Sequence, residues 1–99
     1  MYDGIFVIVN KGKAEAVIEA AEYAGSRGGT IISGRGSGIH DRATLFSMTI
    51  EPEKEIVLII SKKEKTEDIA SSINKSLEIE NPGNGIMFIL DLKKTYGLL

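Results

Sequence analysis

Three short runs constrain what this chain can fold into more than anything else in it. Ile5 to Val9, Ile56 to Ile60 and Ile86 to Leu90 are apolar at successive positions and rich in β-branched and aromatic residues. Each is far shorter than the roughly 20 residues a helix needs to span a bilayer. Each reads instead as a β-strand. Successive side chains on a strand point to opposite faces. A strand that is apolar at every position therefore makes both faces of its sheet apolar, and both need cover.

The segments between these runs supply cover for one face. Asn10 to Lys13 makes a turn. From Lys13 to Ala24 a helical stripe follows, built from Ala14, Val17, Ile18, Ala21 and Ala24, and Gly25 stops it. Ser26 to Gly29 connects to a second strand, Thr30 to Gly34. Leu45 to Ile50 looks extended, and Glu51 to Lys54 interrupts it with a proline suited to a bulge or an edge. Glu55 to Ser61 is the next strand, and Lys62 to Lys65 reads as a polar connection. Thr66 is the expected N-cap of a second helix, with Glu67 and Asp68 in its first turn, where the helix dipole favours anions. Ile69, Ala70, Ile73 and Leu77 form its apolar stripe. Glu80 to Gly85 is a dense turn signal, Ile86 to Leu92 is the last strand, and a short tail follows.

The order is β-α-β-β-α-β, in two similar halves. This predicts a single α+β domain over residues 1–99 of the ferredoxin-like kind, a four-stranded antiparallel sheet with two helices on one face. Right-handed crossovers put both helices on the same side. The other face remains apolar, which predicts self-association through it.

Composition narrows the function classes. The chain has 99 residues, 42% hydrophobic and 26% charged, with a net charge of −2. Such a balance argues against disorder, and without a basic excess nucleic acid is not an expected partner. There is no cysteine, so neither disulfides nor thiol chemistry enters. The strand-like opening almost at Met1 predicts no signal peptide, no membrane span and a cytoplasmic protein.

Two glycine segments carry what motif signal there is. Gly34-Arg35-Gly36-Ser37-Gly38 places three glycines in five residues. It reads either as an anion-binding cradle of backbone N–H groups or as a flexible hairpin tip. It is not a dinucleotide fingerprint, because the spacing differs and an extended segment follows. Gly12-Lys13 is followed by Ala14, so no Walker motif is present. Pro82-Gly83-Asn84-Gly85 could be simply a tight turn. His40 is the only histidine, too little for a dedicated zinc site. Glu51, Glu53 and Glu55 read as a charged turn, and Glu15, Glu19 and Glu22 as a solvated helix face. No catalytic set emerges, and the chain is not expected to be an enzyme.

In this order and on this topology, the two segments resemble the P-II signalling family over about Ile5 to Leu92. Gly36-Ser37-Gly38 resembles the Gly-Phe-Gly at the root of that family's T-loop. Gly83-Asn84-Gly85-Ile86-Met87-Phe88-Ile89-Leu90-Asp91 is similar to its B-loop and final strand. The resemblance implies a homotrimer with sheets packed about a central axis, and adenine-nucleotide sites in the clefts between subunits. It also implies a T-loop, here about residues 35–48, that changes shape with the ligand and docks on a transporter, an enzyme or a transcription factor. Carried over by position, Thr30 matches a threonine near the base of the site. Gly36, Ser37 and Gly38 match the T-loop root, and Gly83, Asn84 and Gly85 the phosphate-facing loop. His40 stands where the family has a glutamine that contacts phosphate and the metal–2-oxoglutarate site. Arg35, Asp41 and Arg42 are the loop charges a partner would feel.

The chain departs from the family at its cations. Ile86 stands in place of the B-loop lysine and Ile39 in place of an arginine. After the last strand, Lys93 and Lys94 are the only nearby cations. Each missing charge-assisted contact costs about 1.5–3 kcal/mol, roughly ten- to 150-fold in affinity. The resemblance thus implies an effector with few phosphates, ADP, AMP or cyclic AMP, ahead of ATP. The alternative is a trimeric ferredoxin-like metal-binding protein resembling the divalent-cation-tolerance proteins.

Overall fold

The computed structural model describes residues 1–36, 43–45, 48–50 and 52–98. Its elements run β1 (Tyr2–Asn10), α1 (Ala14–Tyr23), β2 (Thr30–Arg35), β3 (Ala43–Leu45), β4 (Met48–Ile50), β5 (Glu53–Lys62), α2 (Lys63–Leu77) and β6 (Ile86–Leu92). The main sheet is antiparallel with strand order β2-β5-β1-β6. This is the ferredoxin-like α+β arrangement. The described residues of the Leu45–Ile50 segment join no strand of that sheet. Its described parts form β3 and β4, which pair only with each other.

Strand alternation decides which residues make the core. Ile5, Val7 and Val9 of β1 and Val57 and Ile59 of β5 are buried. They share one face, because Ile5 pairs with Ile59 and Val7 with Val57. Val17, Ala20 and Ala21 of α1 and Ile69 and Ile73 of α2 close over that face in one cluster. Small alanines let α1 lie close, and the Ser72 hydroxyl reaches across from α2 to donate to the Ala20 carbonyl at 2.7 Å.

The opposite face is uncovered in the single chain. Phe6 pairs with Phe88, Ile8 with Ile86 and Gly4 with Leu90. The Phe6 and Phe88 rings stack at 5.1 Å. Phe88 is 40%, Leu90 46%, Ile60 48% and Ile86 59% exposed. Four large apolar side chains this open on one sheet make a continuous greasy surface, larger than scattered exposure would give.

Two expectations about α2 are corrected. β5 runs to Lys62 and the helix starts at Lys63, so no polar connection separates them. Thr66 is not the N-cap. It lies inside the helix, 4% exposed, and its hydroxyl donates back to the Lys62 carbonyl at 3.1 Å and meets the Ser61 hydroxyl at 2.9 Å. Glu64, rather than Glu67 or Asp68, is the first-turn acid. The reason is a tether from elsewhere in the chain. The Lys63 amide donates to the Met1 carbonyl, and its ammonium bridges Asp3 at 2.6 Å and Asp91 at 2.7 Å. Hydrogen bonds from Lys63 and then from Thr66 hold the Asp3 carboxyl below its ordinary range. The bonds to Asp3 and Asp91 raise Lys63.

Candidate functional site

The antiparallel register brings four strand ends together: Asn10 of β1, Arg35 of β2, Glu53 of β5 and Ile86 of β6. Gly34, Gly36 and the Gly83–Gly85 turn lie at this end of the sheet. Gly36 follows β2 and is tied down by its amide, which donates to the Pro52 carbonyl at 3.2 Å. The turn before β6 is tied down by Asn10, whose side-chain amide donates to the Gly83 carbonyl at 3.3 Å. The same Asn10 side chain accepts from the Lys54 ammonium at 2.6 Å. Lys54 is the β5 partner of both Gly34 and Asn10. It therefore links the strand leading into one glycine segment to the turn carrying the other. Three strand spacings separate β2 from β6, roughly 14 Å. Gly36 and Gly83 thus flank a surface with Lys54 and Asn10 in its middle.

The turn is built by its backbone. Gly83 has φ +83°, and Gly85 has φ +150° with its Cα so close to β1 that a Cβ would lie 2.8 Å from the Ile8 carbonyl oxygen. Glycine is the residue for such an approach. Asn84 turns its amide inward, donating to the carbonyls of Leu77 at 3.2 Å and Glu78 at 2.9 Å. Its side chain closes the end of α2.

Glu55 and Glu53, read from the sequence as a charged turn, do separate things. One Glu55 oxygen accepts from the amides of Gly12 at 2.9 Å and Ala14 at 3.0 Å, so it caps α1 from the neighbouring strand. Glu53 pairs with Lys11 at 3.3 Å in the open.

Thr30 lies apart from the glycine turn. It starts β2, is exposed, and pairs with Leu58 across from the stacked phenylalanines. Six residues of strand put it roughly 20 Å from Gly36. Ser37, Gly38, His40, Asp41 and Arg42 lie outside the described residues, and of the loop charges only Arg35 is placed, at the end of β2. Among the described residues no three His, Cys, Asp or Glu side chains gather as a metal-ligand set. Lys54 and Asn10 are the site residues that sequence reasoning missed. A cation at the start of an apolar strand, level with a glycine segment, is the signal that could have found Lys54.

A family profile described as nitrogen regulatory protein P-II matches residues 3–98, nearly the whole chain. The chain belongs to the P-II family. No curated protein matches it. P-II proteins are regulatory signalling proteins. Ile86 pairs with Ile8 on the uncovered face. Among the described residues, Lys54 is a cation placed between the two glycine segments, level with Gly34 and Asn10.

Proposed function

We propose that this P-II protein is a cytoplasmic, non-catalytic regulator that works as a homotrimer. Three uncovered sheet faces pack about a central axis, with Phe6, Phe88, Leu90 and Ile60 inside. A small effector, an adenine nucleotide, occupies the cleft between neighbouring subunits. Thr30, Gly36, Ser37, Gly38 and His40 come from one copy, and the main chain of Gly83, Asn84 and Gly85 from the next. Supplying the two glycine segments from different copies accommodates their separation of roughly 14 Å within one chain. Lys54 adds a positive charge beside the phosphates. With Ile86 and Ile39 in place of cations, ADP, AMP or cyclic AMP binds in preference to ATP. The bound effector favours one arrangement of the 35–48 loop, and that arrangement is what a protein partner reads through Arg35, Asp41 and Arg42.

The observation that carries this reading is the Lys54–Asn10–Gly83 link, which joins β5, the pairing partner of β2, to the glycine turn at one end of the sheet. Calorimetric titration with ATP, ADP, AMP and cyclic AMP, each with and without Mg²⁺, tests it. Saturable binding near one site per chain is expected, strongest for the ligands with fewer phosphates. No heat from any of them on the folded assembly removes the nucleotide. For the partner, Arg42→Glu should weaken capture of the regulated protein and leave the assembly intact; unchanged capture contradicts the role of that charge.

A further inference from the structure

A chemically labile pair sits in the turn before β6. Gly85 approaches β1 so closely that a Cβ there would lie 2.8 Å from the Ile8 carbonyl oxygen and 3.1 Å from the Val9 side chain. The fold therefore requires glycine immediately after Asn84. Asparagine is a thermolabile side chain, and a following glycine puts no Cβ in the way of its own amide. The Gly85 nitrogen is then free to attack the side-chain carbonyl carbon of Asn84. A C–N bond forms, the bond to Nδ2 breaks, and the Gly85 amide proton leaves with that nitrogen as ammonia. Water opens the resulting cyclic imide at either carbonyl, giving aspartate or isoaspartate. Asn84 is exposed, so water reaches it.

The end of α2 opposes that attack. Asn84 Nδ2 donates back to the Leu77 carbonyl at 3.2 Å and the Glu78 carbonyl at 2.9 Å. To meet the amide that follows it, the side chain must give up both bonds. The helix end that holds it is itself strained. Glu78 stands at φ +51°, the one non-glycine residue with a positive φ among the described residues. A Cβ disfavours that conformation. Bonds from the Asn81 amide at 3.0 Å and the Asn81 side chain at 2.9 Å, together with the one from Asn84, keep Glu78 there. After the reaction the hold cannot be remade. A carboxylate has no donor, and in this place it would face two carbonyl oxygens.

We propose that Asn84-Gly85 is a self-modification site gated by the end of α2. It converts to aspartate or isoaspartate while that end is open, and the product keeps the end open. Each event adds one negative charge to the glycine turn. The reaction uses only this chain and water, with no visiting enzyme, and it does not rest on the nucleotide reading.

The test is timed incubation of the full natural chain in native buffer and in urea. The peptide carrying Asn84 is then resolved by chromatography and mass spectrometry into asparagine, aspartate and isoaspartate forms. Conversion is expected at Asn84 ahead of Asn10, Asn74 and Asn81, and more slowly in the native chain than in urea. Where opening is fast relative to reaction, the native rate follows the open population. Glu78→Gly relieves the left-handed strain and should slow native conversion about fivefold, with the rate in urea unchanged. The Asn84→Asp chain carries one of the products. Its Ile79 amide, bonded to the Asn74 carbonyl at the end of α2, should exchange with solvent about fivefold faster than in the natural chain. The proposal is overturned if the native chain does not convert at Asn84, or if it converts as fast as in urea. Glu78→Gly converting at the natural rate would overturn the gate. Unchanged exchange at Ile79 in Asn84→Asp would overturn the one-way step.

Discussion

Glu55 holds the start of α1 although it lies more than forty residues away in the chain. Lys13, at the N-cap position, makes no side-chain cap bond, and the Glu55 carboxylate replaces it at the amides of Gly12 and Ala14. Glu55→Ala should lower unfolding free energy by about 1–2 kcal/mol in urea titration. Glu55→Gln keeps an acceptor and should lose less. Asp3 is the second single residue with a measurable signature. Its carboxyl is held below its ordinary range by Lys63 and Thr66. A depressed carboxyl adds stability that is complete above the unfolded value, about pH 4. That stability is lost as pH falls through the folded value. Asp3→Asn should therefore destabilise the protein at pH 7, and the gap between variant and natural chain should close as denaturation is repeated at falling pH below 4. A gap that stays constant would place the cost in packing instead. The residue scale is also where sequence reading failed most. A threonine followed by two acids signals a helix start on local grounds, yet the start was set by Met1, Asp3 and Asp91. Those partners are distant in sequence, and no local pattern announces them.

At the scale of elements the sequence was far more legible. Period-two alternation in β1 separated Ile5, Val7 and Val9 from Phe6 and Ile8, and the structure buries the first set against the helices. Both helices and their apolar stripes could be read from a 3.6-residue period. The ends of β5 could not, because Glu53 and Lys62 are polar residues held in the sheet by pairing with Arg35 and Tyr2. The site was half legible. Glycines marked the two segments, but their joining by Lys54 and Asn10 depends on strand register. The turn before β6 makes its own prediction. Asn84→Ala removes two bonds that close α2 and should cost about 1 kcal/mol, while effector affinity in calorimetry stays within about twofold, since the Asn84 amide is engaged by the Leu77 and Glu78 carbonyls. Gly85→Ala drives a Cβ against the Ile8 carbonyl and should cost about 1–3 kcal/mol by urea denaturation. A neutral outcome would mean that β6 can move away from β1.

For the whole molecule, the decisive fact is that two helices cover one face of a sheet that is apolar on both. A small chain gains core by associating, because surface dominates at this size. Phe6 and Phe88, stacked and half open, lie near the middle of the uncovered face. Phe88→Asp should break the assembly while leaving the helix-side core intact. In the P-II reading it should also abolish nucleotide binding, because the cleft needs two copies.

The most direct measurement is the mass of the natural chain in solution at micromolar concentration, by sedimentation equilibrium. The account predicts a species of three times the 10.7 kDa chain mass, reduced to the single-chain mass by Phe88→Asp. A folded natural chain that sediments at the single-chain mass would contradict it, and with it the clefts in which the effector is placed.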